Sequence, residues 1–194
     1  MPKKALQSGP KPFPSASEEV LLSVDIEAAG AIPGRFSLLQ IGACRVDGGP
    51  EEFCTYVRPI NSNSDPAALA VTGLSLQQVR REGLAPKRAM SAFRDWIYSV
   101  APLPSSPVFV GLNAAFDWSF INYYFVRYLG SNPFGIAPID IKSVHFGQKG
   151  GLWSDANAKK IQARTQAPGV KSHDALEDAR FQAELFRRIR VSPK

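Results

Sequence analysis

The sequence predicts an α/β layer fold on a mixed, five-stranded sheet flanked by helices. Two observations carry that prediction. Three strand-like runs come first, helical periodicities follow, and the chain then reads strand, helix, strand, helix. The chain has 194 residues, 44% of them apolar, which is enough for one domain with a sizeable core.

The elements are justified in order. Residues 1–17 hold four prolines, several lysines and no acid, and are expected to form a flexible basic tail before a single domain at 18–194. Lys3, Lys4 and Lys11 precede no apolar stretch, so this is not a secretory signal. Residues 20–27, Val-Leu-Leu-Ser-Val-Asp-Ile-Glu, read as a central strand. Residues 37–46 and 52–58 are two more strands, joined by a turn at Asp47-Gly48-Gly49, and the three are expected to be antiparallel neighbours. Asp65-Pro66 opens a short helix that Gly73 stops, and a second runs from Ser75 to Arg81 before Gly83. Pro86 starts a helix to Val100, in which Ala89, Phe93, Trp96 and Ile97 recur at helical spacing. Pro102, Pro104 and Pro107 mark a turn before a short buried strand at 108–111. Asn113 is read as an N-cap and Ala114 as the start of a long helix to Leu129. Residues 139–141 make the last strand. The closing helix, 174–190, has Asp174 as its N-cap and Ala175, Ala179, Ala183, Phe186 and Ile189 on one face. Residues 142–171 contain Gly147, Gly150, Gly151, Pro168 and Gly169 and are expected to be partly loop.

The formal charge of +6 and pI near 9.5 favour an acidic partner, and nucleic acid is the commonest one. Residues 142–171 concentrate that charge, with Lys142, Lys149, Lys159, Lys160, Arg164 and Lys171 against Asp155 alone. A basic segment of this kind can hold a phosphate backbone. No apolar run reaches the length of a membrane span. The two cysteines, Cys44 and Cys54, form no CxxC pair, so they are expected to be buried free thiols in a reducing, cytoplasmic setting rather than a zinc site.

Five residues carry the chemistry. Side chains alternate along a strand, so Asp25 and Glu27 project from one face, roughly 6 to 7 Å apart, at the end of an apolar run. For an isolated pair of acids a solvated strand end would be the ordinary reading. Asp117 lies one turn into its helix, on a face with Phe120, Ile121, Tyr124 and Tyr128, where an acid is costly unless paired or bound to metal. His173 precedes the closing helix and Asp178 faces inward within it. Four converging carboxylates repel one another unless cations offset the charge. Two divalent ions can clamp the attacking and leaving oxygens of a phosphodiester, and an imidazole can take the proton of a water. The residues alone thus point to metal-assisted phosphoester chemistry.

In this order, Asp25-Ile-Glu27, Asn113-Ala-Ala-Phe116-Asp117 and His173-Asp-Ala-Leu-Glu-Asp178-Ala resemble the DEDDh exonuclease family, which includes proofreading exonuclease domains, ribonuclease T and oligoribonuclease. The resemblance covers residues 20–189 and implies a ribonuclease H-like fold. It implies that Asp25, Glu27, Asp117 and Asp178 bind two divalent ions, Mg²⁺ or Mn²⁺, and that His173 activates the attacking water. It also implies 3′–5′ hydrolysis of single-stranded DNA or RNA ends to nucleoside 5′-monophosphates. Ala28, Gly30, Asn113, Trp118 and Lys171 are the candidate substrate contacts. Trp118 and Phe36 could stack on bases, with a core role competing for Trp118. Ala28-Ala29-Gly30 stands where many relatives carry Thr-Thr-Gly, which removes a hydroxyl near the terminal nucleotide but no metal ligand. Leu112 stands where many have His. Two functional readings follow: a stand-alone exonuclease, or a proofreading-type subunit that acts mainly by binding a polymerase or other partner. A homodimer is compatible with either.

Overall fold

The computed structural model describes residues 19–169 and 172–191; the expected tail at 1–17 and Lys171 lie outside the described residues. Five strands, β1 (Glu19–Ala28), β2 (Leu38–Arg45), β3 (Glu52–Tyr56), β4 (Ser106–Gly111) and β5 (Ile139–Asp140), form one sheet in the order β3-β2-β1-β4-β5. β1 pairs with β2 and β2 with β3 antiparallel, while β1 with β4 and β4 with β5 run parallel. The predicted mixed sheet is thus present, with β1 at its centre.

Among the described residues the helices are α1 (Pro66–Thr72), α2 (Leu76–Glu82), α3 (Pro86–Val100), α4 (Ala115–Leu129), α5 (Ile141–Lys149), α6 (Ala158–Thr165) and α7 (Ala175–Val191). Alternation along β1 divides the core in two. Leu22, Val24 and Ile26 meet Phe93, Ile97, Phe120 and Tyr124 of α3 and α4. On the opposite face Cys44 and Val110 meet Ile141, Ile161, Ala179 and Phe186 of α5, α6 and α7. No helix among the described residues is long and apolar enough to cross a membrane.

Residues 142–171 are partly loop, as expected, among those described: α5 and α6 flank a 3₁₀ turn at Trp153–Asp155, and Gly150, Gly151, Pro168 and Gly169 lie outside the helices. Both helices are capped by side chains, with Asp140 accepting from Ser143 N at 3.0 Å and Asn157 from Lys160 N at 3.1 Å, and Ile141 and Ile161 are buried beneath. Two expectations are corrected. The last strand stops at Asp140 because Asp140 is itself that cap. Cys44 is buried, and burial pushes its thiol up to about 11, but Cys54 is exposed because β3 is an edge strand.

Gly42 sets the closest approach between layers. It faces Asp25 in the β1–β2 register. A Cβ placed on it would lie 2.1 Å from the backbone carbon of Ala175 and 2.2 Å from Leu176 N. The first turn of α7 therefore rests directly on the backbone of β2. Gln40, two residues before, donates to Asp174 Oδ2 at 2.9 Å and accepts from Ala175 N at 3.4 Å. The expected N-cap is in place as well, with Asp174 Oδ1 accepting from Leu176 N and Glu177 N at 3.1 Å each.

A methyl group at Gly42 has no flexible neighbour to displace. Gly42→Ala is expected to cost about 3 kcal/mol or more, lowering the unfolding midpoint by roughly 6 to 12 °C for a domain of this size. Gly147→Ala in α5, where a Cβ meets nothing within 4 Å, serves as the control and should leave the midpoint unchanged or raise it. Equal midpoints for the two variants would contradict the packing account.

Candidate active site

The site forms where β1 loses its neighbour. β4 pairs with β1 only as far as Ser23 and then turns away after Gly111, so the C-terminal part of β1 borders an opening. Asp117, in the first turn of α4, reaches into that opening and accepts the N–H of Ile26 at 3.1 Å. The carboxylate thereby satisfies a buried backbone donor beyond the end of the parallel ladder.

Asn113 is the sharp turn between β4 and α4. It is not the N-cap expected from sequence: its φ is 58°, the helix begins at Ala115, and the N–H of Ala114 goes instead to Asp140 Oδ1 at 3.1 Å. Asparagine tolerates this left-handed conformation better than most residues. The N-cap pattern and the turn pattern share the same residue, so sequence could not separate them.

Asp25 and Glu27 occupy the α7 side of β1, opposite Gly42 and Gln40. Gln182 of α7 donates its amide N–H to Asp25 Oδ1, and its amide oxygen accepts from Leu112 N at 2.9 Å. Gln182 is 3% exposed, so the amide ties together β1, the end of β4 and α7 inside the protein. An uncharged amide offers a donor to the carboxylate and an acceptor to the N–H at once, on a side chain long enough to reach both. Sequence reasoning missed Gln182, whose only signal is a polar residue on the inner half of an otherwise apolar helix.

His173 lies at the entrance in a left-handed conformation, φ 59°. Asp178, fully buried, accepts from Ser172 N at 2.7 Å and from His173 N at 3.1 Å, so one carboxylate fixes the loop that presents the imidazole. Ligand atoms of Glu27, His173 and Asp178 all lie within 4.8 Å of one another. That cluster can hold a cation.

A cleft of about 470 Å³ opens over these groups. Asp25, Glu27, Ala28, Gly30, Asn113, Phe116, Asp117 and His173 line one side, and Ala67, Ala68 and Val71 of α1 line the other. Among the described residues no lysine or arginine lines the cleft, so a cation is a suitable counter-charge for the acids. Asp178 touches the cluster from behind rather than lining the cleft. Trp118 is also absent from the lining and packs against the core of α3 and α4. Phe36 lies over Gly30, where a Cβ would meet its ring at 2.5 Å. Leu38 and Leu39 are core. Phe116, which was not singled out as a contact in sequence, is 40% exposed and lines the cleft. A larger hollow of about 800 Å³ lies elsewhere, among Arg45, Asp47, Glu184 and Arg187. Arg45 pairs there with Asp47, and Arg187 and Arg188 both pair with Glu184.

Comparison with known proteins agrees with this architecture. Residues 22–186 match the RNase T family model, described as exonuclease. The 3′-5′ DNA exonuclease Cap18 of Escherichia coli is 49% identical over 172 residues, which are 89% of this chain and 92% of that protein. Among solved structures, E. coli Exonuclease I in complex with a dT13 oligonucleotide aligns with a TM-score of 0.69 at 20% identity, over 89% of this chain. A zinc-bound form of an E. coli Exonuclease I–single-stranded DNA complex aligns at 0.65 and 20% identity, over 86% of this chain. The chain spans about two fifths of the length of these two structures, 41% and 39%, and the likeness is one of fold. The fold is thus the ribonuclease H-like one that the sequence resemblance implied.

Removal of the amide that bridges Asp25 and Leu112 is expected to loosen the cation site before it unfolds the protein. Gln182→Leu should weaken Mn²⁺ binding by about 10- to 100-fold in titration calorimetry. Unchanged Mn²⁺ affinity in the folded variant would show that Asp25 is held without Gln182.

Proposed function

The chain belongs to the exonuclease family, and on that footing we propose that it is a divalent-metal-dependent 3′–5′ exonuclease that releases nucleoside 5′-monophosphates from single-stranded DNA ends. The observation that carries the reading is the convergence of Asp25, Glu27, Asp117 and His173 on one cleft, with Asp178 behind Glu27 and His173. DNA is preferred over RNA as substrate because the relative that shares nearly half of the sequence is itself named a DNA exonuclease. That relative is matched over 92% of its length, which favours a self-sufficient enzyme over a subunit acting mainly through a polymerase.

Asp25, Glu27, Asp117 and Asp178 would hold two cations, with Mg²⁺ and Mn²⁺ best suited to an oxygen-rich donor set. When bound, such ions polarise the phosphodiester and offset charge on the attacking and leaving oxygens. The remaining tasks fall to the chain. His173, presented at the entrance by the Asp178-fixed loop, takes the proton of the attacking water. Phe116 offers a ring face to the terminal base. Gln182 keeps Asp25 oriented and Asp117 is fixed by the Ile26 N–H, so the carboxylates are placed before substrate arrives. Ala67, Ala68 and Val71 give the cleft an apolar wall opposite the acids. Asp65 supports that wall, since it caps Ala67 N at 2.9 Å and its own N–H donates to Ala29 O at 2.7 Å.

The test uses purified protein, 5′-labelled single-stranded DNA and RNA oligomers, and Mg²⁺, Mn²⁺ or EDTA. The expected result is a metal-dependent ladder that shortens from the 3′ end, faster on DNA. His173→Ala should slow it by about 10² to 10⁴, while Asp25→Ala should abolish it. Intact oligomers under every metal condition, from folded protein, would overturn the proposal.

A further inference from the structure

The segment between β5 and α7 leaves the cleft and comes back to it. Asp140 caps α5 and also holds the N–H of Ala114, next to Asn113 in the cleft wall. Its far end leads into His173, in the same wall. The described part of this excursion, residues 141–169, contains Lys142, Lys149, Lys159, Lys160 and Arg164 and one acid, Asp155. That is a net +4 out of the chain's formal +6. The acid is itself paired with Lys160. His145 adds no charge near neutral pH, because burial, with Arg164 nearby, pushes its imidazole below the ordinary range.

An aromatic side chain stands on this basic surface. Trp153 is 50% exposed in its 3₁₀ turn, next to Leu152 at 67%. Lys142 Nζ lies 4.0 Å from the indole centroid, and Phe146 meets the ring edge-on at 5.6 Å. The turn is anchored beneath by buried Ala156 and by Asp155 N donating to Leu152 O at 2.9 Å. Lys142 and Phe146 hold the tryptophan in place while half of its surface stays open to solvent. Aromatic faces interleaved with basic side chains are what single-stranded nucleic acid requires, since bases stack and phosphates need counter-charge.

The geometry points to α5, the Trp153 turn and α6 as a track for the single strand upstream of the scissile nucleotide. A base of that strand stacks on Trp153, Lys142 meets its phosphate, and Lys159 and Arg164 meet phosphates farther 5′. The cleft of about 470 Å³ has room for only the last one or two nucleotides, so longer substrate must cross an adjoining surface. The segment that starts and ends beside the cleft wall offers both charge and an aromatic face. The inference rests on the exonuclease reading.

The test measures binding and hydrolysis separately. Fluorescence anisotropy in EDTA, where no metal-dependent cleavage proceeds, compares 5′-fluorescein-labelled dT20 and dT2 on the full chain, Trp153→Ala and Trp153→Phe. The wild type should bind dT20 more tightly than dT2. Trp153→Ala should weaken dT20 by about tenfold, leave dT2 unchanged and keep its unfolding midpoint. Trp153→Phe, which retains a ring, should restore most of the dT20 affinity. Wild-type affinity of Trp153→Ala for dT20 would overturn the track and leave this surface to a protein partner, and so would an equal loss for both oligomers. If wild type binds dT20 in the expected pattern yet hydrolyses nothing with Mg²⁺ or Mn²⁺, the exonuclease reading fails while the binding surface stands.

Discussion

The rest of the site depends on the approach of α7 to the centre of the sheet at Gly42. Any side chain there would strike the backbone of Ala175 and Leu176. With none, the helix settles onto β2 directly across from Asp25. That contact fixes three things together. Asp178 and the His173 loop come within reach of Glu27. Gln182, one turn beyond Asp178, meets Asp25. The apolar faces of Ala179, Ala183 and Phe186 close the core beneath. Interiors are close-packed, so a shift of α7 by one methyl diameter would move all three.

The carboxylates do structural duties as well. Asp117 takes the N–H of Ile26, Asp178 takes those of Ser172 and His173, and Asp25 receives Gln182. A buried acid without such donors would be too costly to keep. Each carboxylate oxygen has two lone pairs, so these bonds hold the groups while leaving acceptor capacity toward the cleft. Hydrogen bonds also accompany the two left-handed residues beside the cleft: Asp178 accepts from His173 N, and Asp140 accepts from Ala114 N next to Asn113. Both lie where the chain turns abruptly to enter a helix, and the surrounding hydrogen bonds hold them there.

The surface is built differently from the site. The cleft carries the acids, and among the described residues no lysine or arginine lines it. Residues 141–169, on α5, the 3₁₀ turn and α6, carry a net +4. Opposite charges on separate surfaces leave each able to attract its own counter-charge. Direct contact between the lysines and the acids would neutralise both.

Much of this was legible in the sequence. Alternation placed Asp25 and Glu27 on one face, the Asp174 cap and alanine stripe marked α7, and three short motifs pointed to the family and to Asp25, Glu27, Asp117 and His173, which line one cleft. Such features are local, since period, capping and motif order are written within a few residues of one another. Other features belong to the tertiary structure alone. Gln182, Gln40 and Asp140 act on residues that are distant in sequence. Asn113 and Trp118 each fitted two local roles, and the turn after β4 and the packing of α4 chose between them. Within 141–169, Gly150, Gly151 and Gly169 mark the connections, as they read, while the extent of the two helices rests on side-chain caps and buried isoleucines. A hydrogen bond across the fold has no period and leaves no pattern in the sequence, so which polar residue meets which carboxylate is decided only when the layers pack.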